Sequence, residues 1–299
     1  GPGRCIRLWS QTDHAARPAR ETPEIKRVDL AETILLLLTS GWGDAAAFPW
    51  YEPPEEKSLR RALTVLRDLG AVDVAGALTR LGRRMAAFPA HPRYARMLQA
   101  AGELGCVAEV AAIAGLSQGR DILFRKVDDR TEHARDAVEQ EEGSDFFPRL
   151  ALLRRAAELK FDLDACERLG IHAQSARQAD QAARQFRRIA EGQGLPVADG
   201  PAEPAAIRRC LLLGFSDRLA VRLDAGTLRC ALVHGRKGEL RRESAVRQAR
   251  LLVAAEIDEI QARGEVTTYL SLCTAAEEPW LRELYPEDFN EVAAPRFDP

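Results

Sequence analysis

Gly192-Gln193-Gly194-Leu195-Pro196-Val197-Ala198-Asp199-Gly200-Pro201-Ala202-Glu203-Pro204 divides this chain into two kinds of sequence. Glycine and proline interrupt regular backbone pairing, so a run this rich in both reads as a linker. Before it, apolar residues recur every three or four positions; after it, the period moves toward two. The first pattern belongs to amphipathic helices and the second to half-buried strands. A chain of 299 residues has room for two or three domains of ordinary size.

Downstream of the linker, strands are expected at 219–223, 228–233, 239–241, 251–258 and 266–274, with turns at Gly226 and between Gly235 and Gly238. Five short strands in so little sequence suit a small β-barrel, and the OB-fold is a natural five-stranded choice. A closing helix over 277–285 carries Trp280, Leu281 and Leu284 on one side.

Upstream, Val28, Leu30, Ile34, Leu35, Leu37 and Leu38 predict a helix starting near Lys26, with Asp29 and Glu32 in its early turns. Gly41 and Gly43 stop it, and Phe48-Pro49-Trp50 with Pro53-Pro54 makes a rigid connector. A second helix spans 55–69, with Leu59, Leu63, Leu66 and Leu69 on one face. Segments 71–74 and 77–79 around Gly76 form a candidate hairpin, and helices followed by such a wing make a winged helix. Pro92 opens a helix that Gly105 closes, and the Ala-rich 107–116 reads as a buried helix. Residues 128–144 are acidic, an exposed helix or a loop, and 148–160, 162–169 and 176–191 are amphipathic. Cys5 to Trp9 reads as one short strand, which without neighbours is the end of something larger. The expected class is multidomain α+β: a tail (1–22), a winged helix (23–85), a helical bundle (86–195), a linker (196–204) and an OB-like barrel with a C-terminal helix (205–299).

Apolar residues are 46% and charged residues 29%, which is ordinary soluble material. The apolar run from Ile34 to Leu38 is far too short to span a bilayer, and no signal peptide opens the chain. Cys5, Cys106, Cys166, Cys210, Cys230 and Cys273 are widely spread, and buried reduced thiols place the protein in the cytoplasm. His14, His91, His133, His172 and His234 are scattered; only Cys230 and His234 approach a ligand pair, and two ligands make no zinc site. No Walker A loop, G-x-S-x-G elbow or H-E-x-x-H helix occurs, so no catalytic and no metal residue is assigned.

Net charge is −2, but it is segregated: residues 208–250 hold eleven Lys/Arg against four acids, and 251–299 hold three Arg against eleven acids. Such separation can hide a basic face on a neutral protein. Two regions could use it. Arg120, Arg125 and Lys126 follow a buried helix together with Phe124, and cations with an aromatic suit a single strand. The barrel carries Arg208, Arg209, Arg218, Arg222, Arg236, Lys237, Arg241 and Arg242. In a regular strand Arg218, Ala220 and Arg222 share one face. Scattered solvated arginines, Phe124 in the core and an Asp217–Arg218 ion pair are the plain alternatives.

The wording of several segments resembles one family. Gly3-Arg4-Cys5-Ile6-Arg7-Leu8-Trp9 resembles the strand after the last helicase motif of DEAH-box ATP-dependent helicases. Pro23-Glu24-Ile25-Lys26-Arg27-Val28-Asp29-Leu30 resembles the start of their winged helix. Leu78-Thr79-Arg80-Leu81-Gly82-Arg83-Arg84-Met85-Ala86 and Phe88-Pro89-Ala90-His91-Pro92-Arg93 resemble its junction into the bundle. Leu116-Ser117-Gln118-Gly119-Arg120-Asp121-Ile122-Leu123 and Gly214-Phe215-Ser216-Asp217-Arg218-Leu219-Ala220 look like the bacterial HrpB type, and Leu251-Leu252-Val253-Ala254-Ala255-Glu256-Ile257 fits the same barrel.

The resemblance implies an accessory region whose two RecA-like motor domains would lie before Gly1. ATP and Mg2+ would belong to that motor, so these residues alone should be inactive and hold no cofactor. Single-stranded RNA or DNA would run between motor and bundle–barrel, gripped through phosphates by Arg120, Arg125, Lys126, Arg218, Arg222, Arg236 and Lys237. The rival is a platform for an activator or other partner protein. A transcription regulator reading bases with Lys57, Arg60, Arg61 and Arg67 is a third reading, which the barrel and bundle argue against. No membrane partner is expected.

Overall fold

A computed structural model describes residues 2–18, 21–124, 127–136, 142–198, 200–262 and 265–289. Helices fill the chain as far as residue 214, and strands follow. After α1 (Gln11–Ala16), a 3-10 turn over Glu24–Lys26 leads to α2 (Ala31–Thr39) and α3 (Glu56–Asp68). The first long helix thus begins later than its apolar pattern suggests. The Asp29 carboxylate accepts the Ala31 N–H at 2.8 Å, satisfying a donor that a helix start leaves free. The wing is a single bridge between Val72 and Leu78, turned where Asp73 accepts the N–H groups of Ala75 and Ala77. Thr79 then caps α4 (Arg80–Ala86), its hydroxyl accepting from the Gly82 N–H at 2.9 Å. No strand forms at Cys5–Trp9: no described segment pairs with it, and Ile6 and Leu8 are largely exposed.

The bundle consists of α5 (Pro92–Leu104), α6 (Val107–Leu116), α7 (Asp129–Asp136), α8 (Phe146–Glu158), α9 (Leu163–Arg168) and α10 (Ala173–Gly192). Proline at the first turn and Gly105 at φ +71° bound α5, as their backbone preferences require. Helices α6 and α10 approach unusually closely at Gly115. A Cβ there would fall on the Ala179 carbonyl oxygen and 2.8 Å from the Ala183 nitrogen.

The segment after the linker is helical before it is a strand. Pro204 starts a further helix, α11 (Pro204–Gly214), which packs against α5 with Gly214 against Met97. Ile207, Cys210, Leu211 and Gly214 are buried at helical spacing, and the burial of Leu212 and Leu213 beside them widens that apolar face. The helix carries Arg208 and Arg209, which pair with Glu277 and Glu283 rather than standing on the barrel. One apolar core runs through the winged helix, the bundle, α11 and the closing helix α12 (Glu278–Leu284).

Strands β1 (Leu219–Arg222), β2 (Arg229–Leu232), β3 (Lys237–Leu240), β4 (Leu251–Ala262) and β5 (Glu265–Ala276) close on themselves in the order β1-β2-β3-β5-β4. Only β3 and β5 pair in parallel among the described strands. Ala220, Cys230, Leu232, Leu240, Leu252 and Leu270 fill the interior as a second core. Arg222 opposes Cys230, and Val221 opposes Ala231, which opposes Lys237. Alternation therefore turns Lys237 outward, away from the face of the buried Cys230.

Candidate nucleic-acid interface

Bundle, winged helix and barrel meet at the entry to β1. Arg93, in the first turn of α5, donates to Asp217 from both terminal guanidinium nitrogens, the Nη2–Oδ2 distance being 2.8 Å. Both side chains are under 10% exposed, at 6% and 8%. The Asp217 partner is thus Arg93, and Arg218 turns instead to the Ala255 carbonyl and the Phe215 ring, 5.6 Å from its centroid. Burial raises the Asp217 carboxyl, but the Arg93 hydrogen bond and the charges of Arg93, Arg218 and Arg236 outweigh it and hold the group below its ordinary range. Burial and then the Arg93 charge bring Arg218 down to about 10. Arg236 closes the cluster by donating to the Asp217 carbonyl at 2.9 Å.

Three guanidiniums around one carboxylate leave this junction positive, and acids temper it. Desolvation and then the charges of Asp258 and Asp121 push the Glu256 carboxyl up, so β4 brings acids to the same side. On the winged-helix side, His234 Nε2 lies 2.8 Å from Asp68 Oδ2, and Ser216 donates to the Asp68 carbonyl at 3.0 Å. His234 is therefore committed to the winged helix while Cys230 faces the barrel interior, so the two form no ligand pair. No cluster of three metal-ligating side chains occurs among the described residues.

The seven predicted phosphate contacts do not form one patch. Arg120 is exposed in the turn after α6 and close enough to His172 that, after burial, its charge lowers that imidazole. Phe124 meets the His172 ring at 3.9 Å, half-buried rather than open for base stacking. Arg125 and Lys126 lie outside the described residues. Arg218 precedes β1 in a 3-10 turn, so it does not share a regular strand face with Arg222. Arg222 instead folds over the end of the barrel onto the carbonyls of Arg247 and Gln248. Lys237 is exposed on the outer face of β3. There it lines a shallow groove with Leu223, Arg229, Glu239 and Val266, a grouping that no sequence spacing announces.

Sequence reasoning also misses Asp145. This buried carboxylate at the start of α8 accepts from the Ser244 hydroxyl at 3.0 Å, the Ala245 N–H at 2.7 Å and the Cys273 N–H at 2.7 Å. It locks the loop between β3 and β4 to the bundle and to β5. Its acidic surroundings, 128–145, give no sign that one acid among eight is interior.

Comparison with known proteins agrees with this arrangement. Residues 62–90 match the winged-helix part of the helicase-associated domain (HA2), and residues 91–193 match its ratchet-like part. The chain is 31% identical over 234 residues to the ATP-dependent RNA helicase HrpA of Escherichia coli, covering 74% of this chain and 18% of that protein. It is 26% identical over 298 residues to the probable ATP-dependent RNA helicase DHX35 of Homo sapiens, covering 97% of this chain and 41% of that protein. The chain thus spans less than half the length of either relative. No helix among the described residues is long and apolar enough to cross a membrane. In residues 62–193 this chain carries helicase-associated domains, winged-helix first and ratchet-like second.

Proposed function

We propose that this chain is the C-terminal accessory region of a DEAH-box ATP-dependent RNA helicase, and that it grips single-stranded RNA for a motor supplied by RecA-like domains elsewhere in the protein. The observation that carries the reading is the barrel. Its order β1-β2-β3-β5-β4 suits an OB-like fold, and its shallow groove lies on the β2–β3 face that such barrels use for oligonucleotides. Arg229 and Lys237 supply cations there, and the exposed Leu223 and Val266 supply apolar surface for bases. Arg120, with Arg125 and Lys126 adjacent in sequence, extends the grip to the bundle. Arg218, Arg222 and Arg236 each commit donors to backbone carbonyls, so only their remaining N–H groups are left for phosphate. ATP and Mg2+ act in the motor. The wording of 116–123 and 214–220 favours the HrpB type, and five buried free thiols fit the reducing cytoplasm.

The test is fluorescence anisotropy of a labelled single-stranded RNA over a salt series. Binding should weaken steeply with salt, because displaced counterions return to the strand. The variant Arg120→Ala/Lys237→Ala should flatten the slope by about 1.4, at about 0.7 per phosphate bound. Absence of binding at low salt refutes the grip. It would favour a protein-binding platform, the reading supported by Tyr51 and Trp42, exposed on the winged helix beside Phe48 and Trp50.

A further inference from the structure

The strand directions place two loops together at one end of the barrel. Strands β1, β3 and β5 run one way, and β2 and β4 the other. The β1–β2 loop and the β3–β4 loop (241–250) therefore share the end where Arg222 closes β1. Arg229 opens β2 at this end, and Arg242, Arg247 and Arg250 project from the longer loop. All four are exposed, and none forms an ion pair with another described residue. The acids at this end are Asp224, Glu239 and Glu243, with Asp145 buried beneath the loop and Glu277, paired with Arg208, just past β5; Glu239 opposes Arg229 in the ladder.

The longer loop is held at three points. Ser244 is fixed by Asp145, Val246 is buried in the barrel core, and Arg222 clamps the carbonyls of Arg247 and Gln248. Anchoring the backbone removes the ordering cost that a mobile loop would incur on binding. Ser244 and Val246 face inward, which leaves the arginines outward. An exposed arginine without a carboxylate partner presents its full fork of donors to a phosphate.

We infer that this end of the barrel, built from Arg229, Arg242, Arg247 and Arg250, is a second phosphate-binding surface, over which the RNA strand leaves the β2–β3 groove. The inference rests on the single-strand grip proposed above. Arg229 belongs to both surfaces and makes them continuous. The Arg222 N–H donates to the Arg250 carbonyl while Arg222 opposes Cys230. Arg250 and the start of β2 are thus two strand spacings apart, about 10 Å, so one strand crossing the end meets both.

The experiment uses the whole chain and a labelled single-stranded oligouridine RNA, titrated at several salt concentrations. Arg242→Ala/Arg247→Ala/Arg250→Ala should flatten the plot of log affinity against log salt by about two, at about 0.7 for each phosphate no longer neutralised. The charge-matched variant Arg184→Ala/Arg187→Ala/Arg188→Ala, on exposed positions of α10, should leave the slope unchanged. The triple lysine variant of the loop should keep the native slope, which separates loss of charge from loss of fold. A native slope in the loop triple alanine variant overturns the surface while the grip stands. Equal flattening by the α10 variant also overturns it, because net charge then explains the effect. If the unaltered chain binds no RNA at low salt, the grip itself has failed and the surface with it.

Discussion

Arg93 and Asp217 should show unequal costs when each is removed alone. The pair is bidentate and buried, and it ties the first turn of α5 to the entry of β1 across 124 positions of sequence. Removing one member of a buried pair leaves an uncompensated charge, at a typical cost of about 3–5 kcal/mol. The surroundings decide which end of that range applies. In Arg93→Met, Asp217 keeps the favourable charges of Arg218 and Arg236, so the cost falls near about 3 kcal/mol. In Asp217→Asn, the Arg93 guanidinium stays buried beside Arg218 without its hydrogen-bonded carboxylate, keeping only the more distant charge of Asp29, and its Nε has no partner even in the native chain. That variant belongs near about 5 kcal/mol. Arg93→Met/Asp217→Leu removes both charges and should recover most of the loss, because well-packed apolar pairs replace buried ion pairs at little cost. Urea unfolding at neutral pH, followed by far-UV circular dichroism, reads the midpoints. An Arg93→Met cost equal to or above that of Asp217→Asn would refute the role given to Arg218 and Arg236. A double variant no better than the sum of the singles would refute the pairing itself. The sign with pH is set as well: the folded Asp217 carboxyl lies below its ordinary 3.8, so the contribution is complete above 3.8 and is lost as pH falls below it through the lowered folded value.

Gly115→Ala should destabilise the bundle by about 1–3 kcal/mol, because the atoms the new Cβ meets on α10 are backbone and cannot rotate away; a thermal melt unchanged from native would refute the close approach. Asp29 accepts the first N–H of α2 and faces His91 at 3.5 Å. Burial raises its carboxyl, but the His91 hydrogen bond, the Ala31 N–H and the charges of His91 and Arg93 carry it well below 3.8. Its share of stability is therefore present above pH 3.8 and lost on acidification, and Asp29→Asn should flatten the melting temperature across the acid range. A native acid profile in that variant would remove Asp29 from the winged helix–bundle contact.

Features under local physical control were legible in the amino-acid order. Pro92 and Gly105 bound α5 because proline and a left-handed glycine act on their own backbone. The stretch 107–116 is a buried helix because all but one of its side chains are apolar or absent, and the one carboxylate, Glu109, is paired with Arg154. The five strands lie close to where the period of two places them, since alternation is a property of the strand alone. Wording carried the helicase resemblance, and residues 62–193 match helicase-associated domains. The unread part depended on partners distant in the chain. Helix α11 was not legible because its apolar face, Ile207, Cys210, Leu211 and Gly214, merges with Leu212 and Leu213 into a short apolar run that periodicity alone does not assign. Cys5–Trp9 has strand-like residues but no described partner strand, and a lone strand cannot satisfy its backbone. Arginine content located the positive charge, but not which guanidiniums are spent inside the fold. Arg208, Arg209, Arg218, Arg222 and Arg236 each find an internal acceptor, whereas Arg120, Arg229, Lys237 and Arg247 face solvent. Closure of the sheet and its docking on the bundle made that choice, because an arginine's role depends on which carbonyls and carboxylates the tertiary structure brings within its reach.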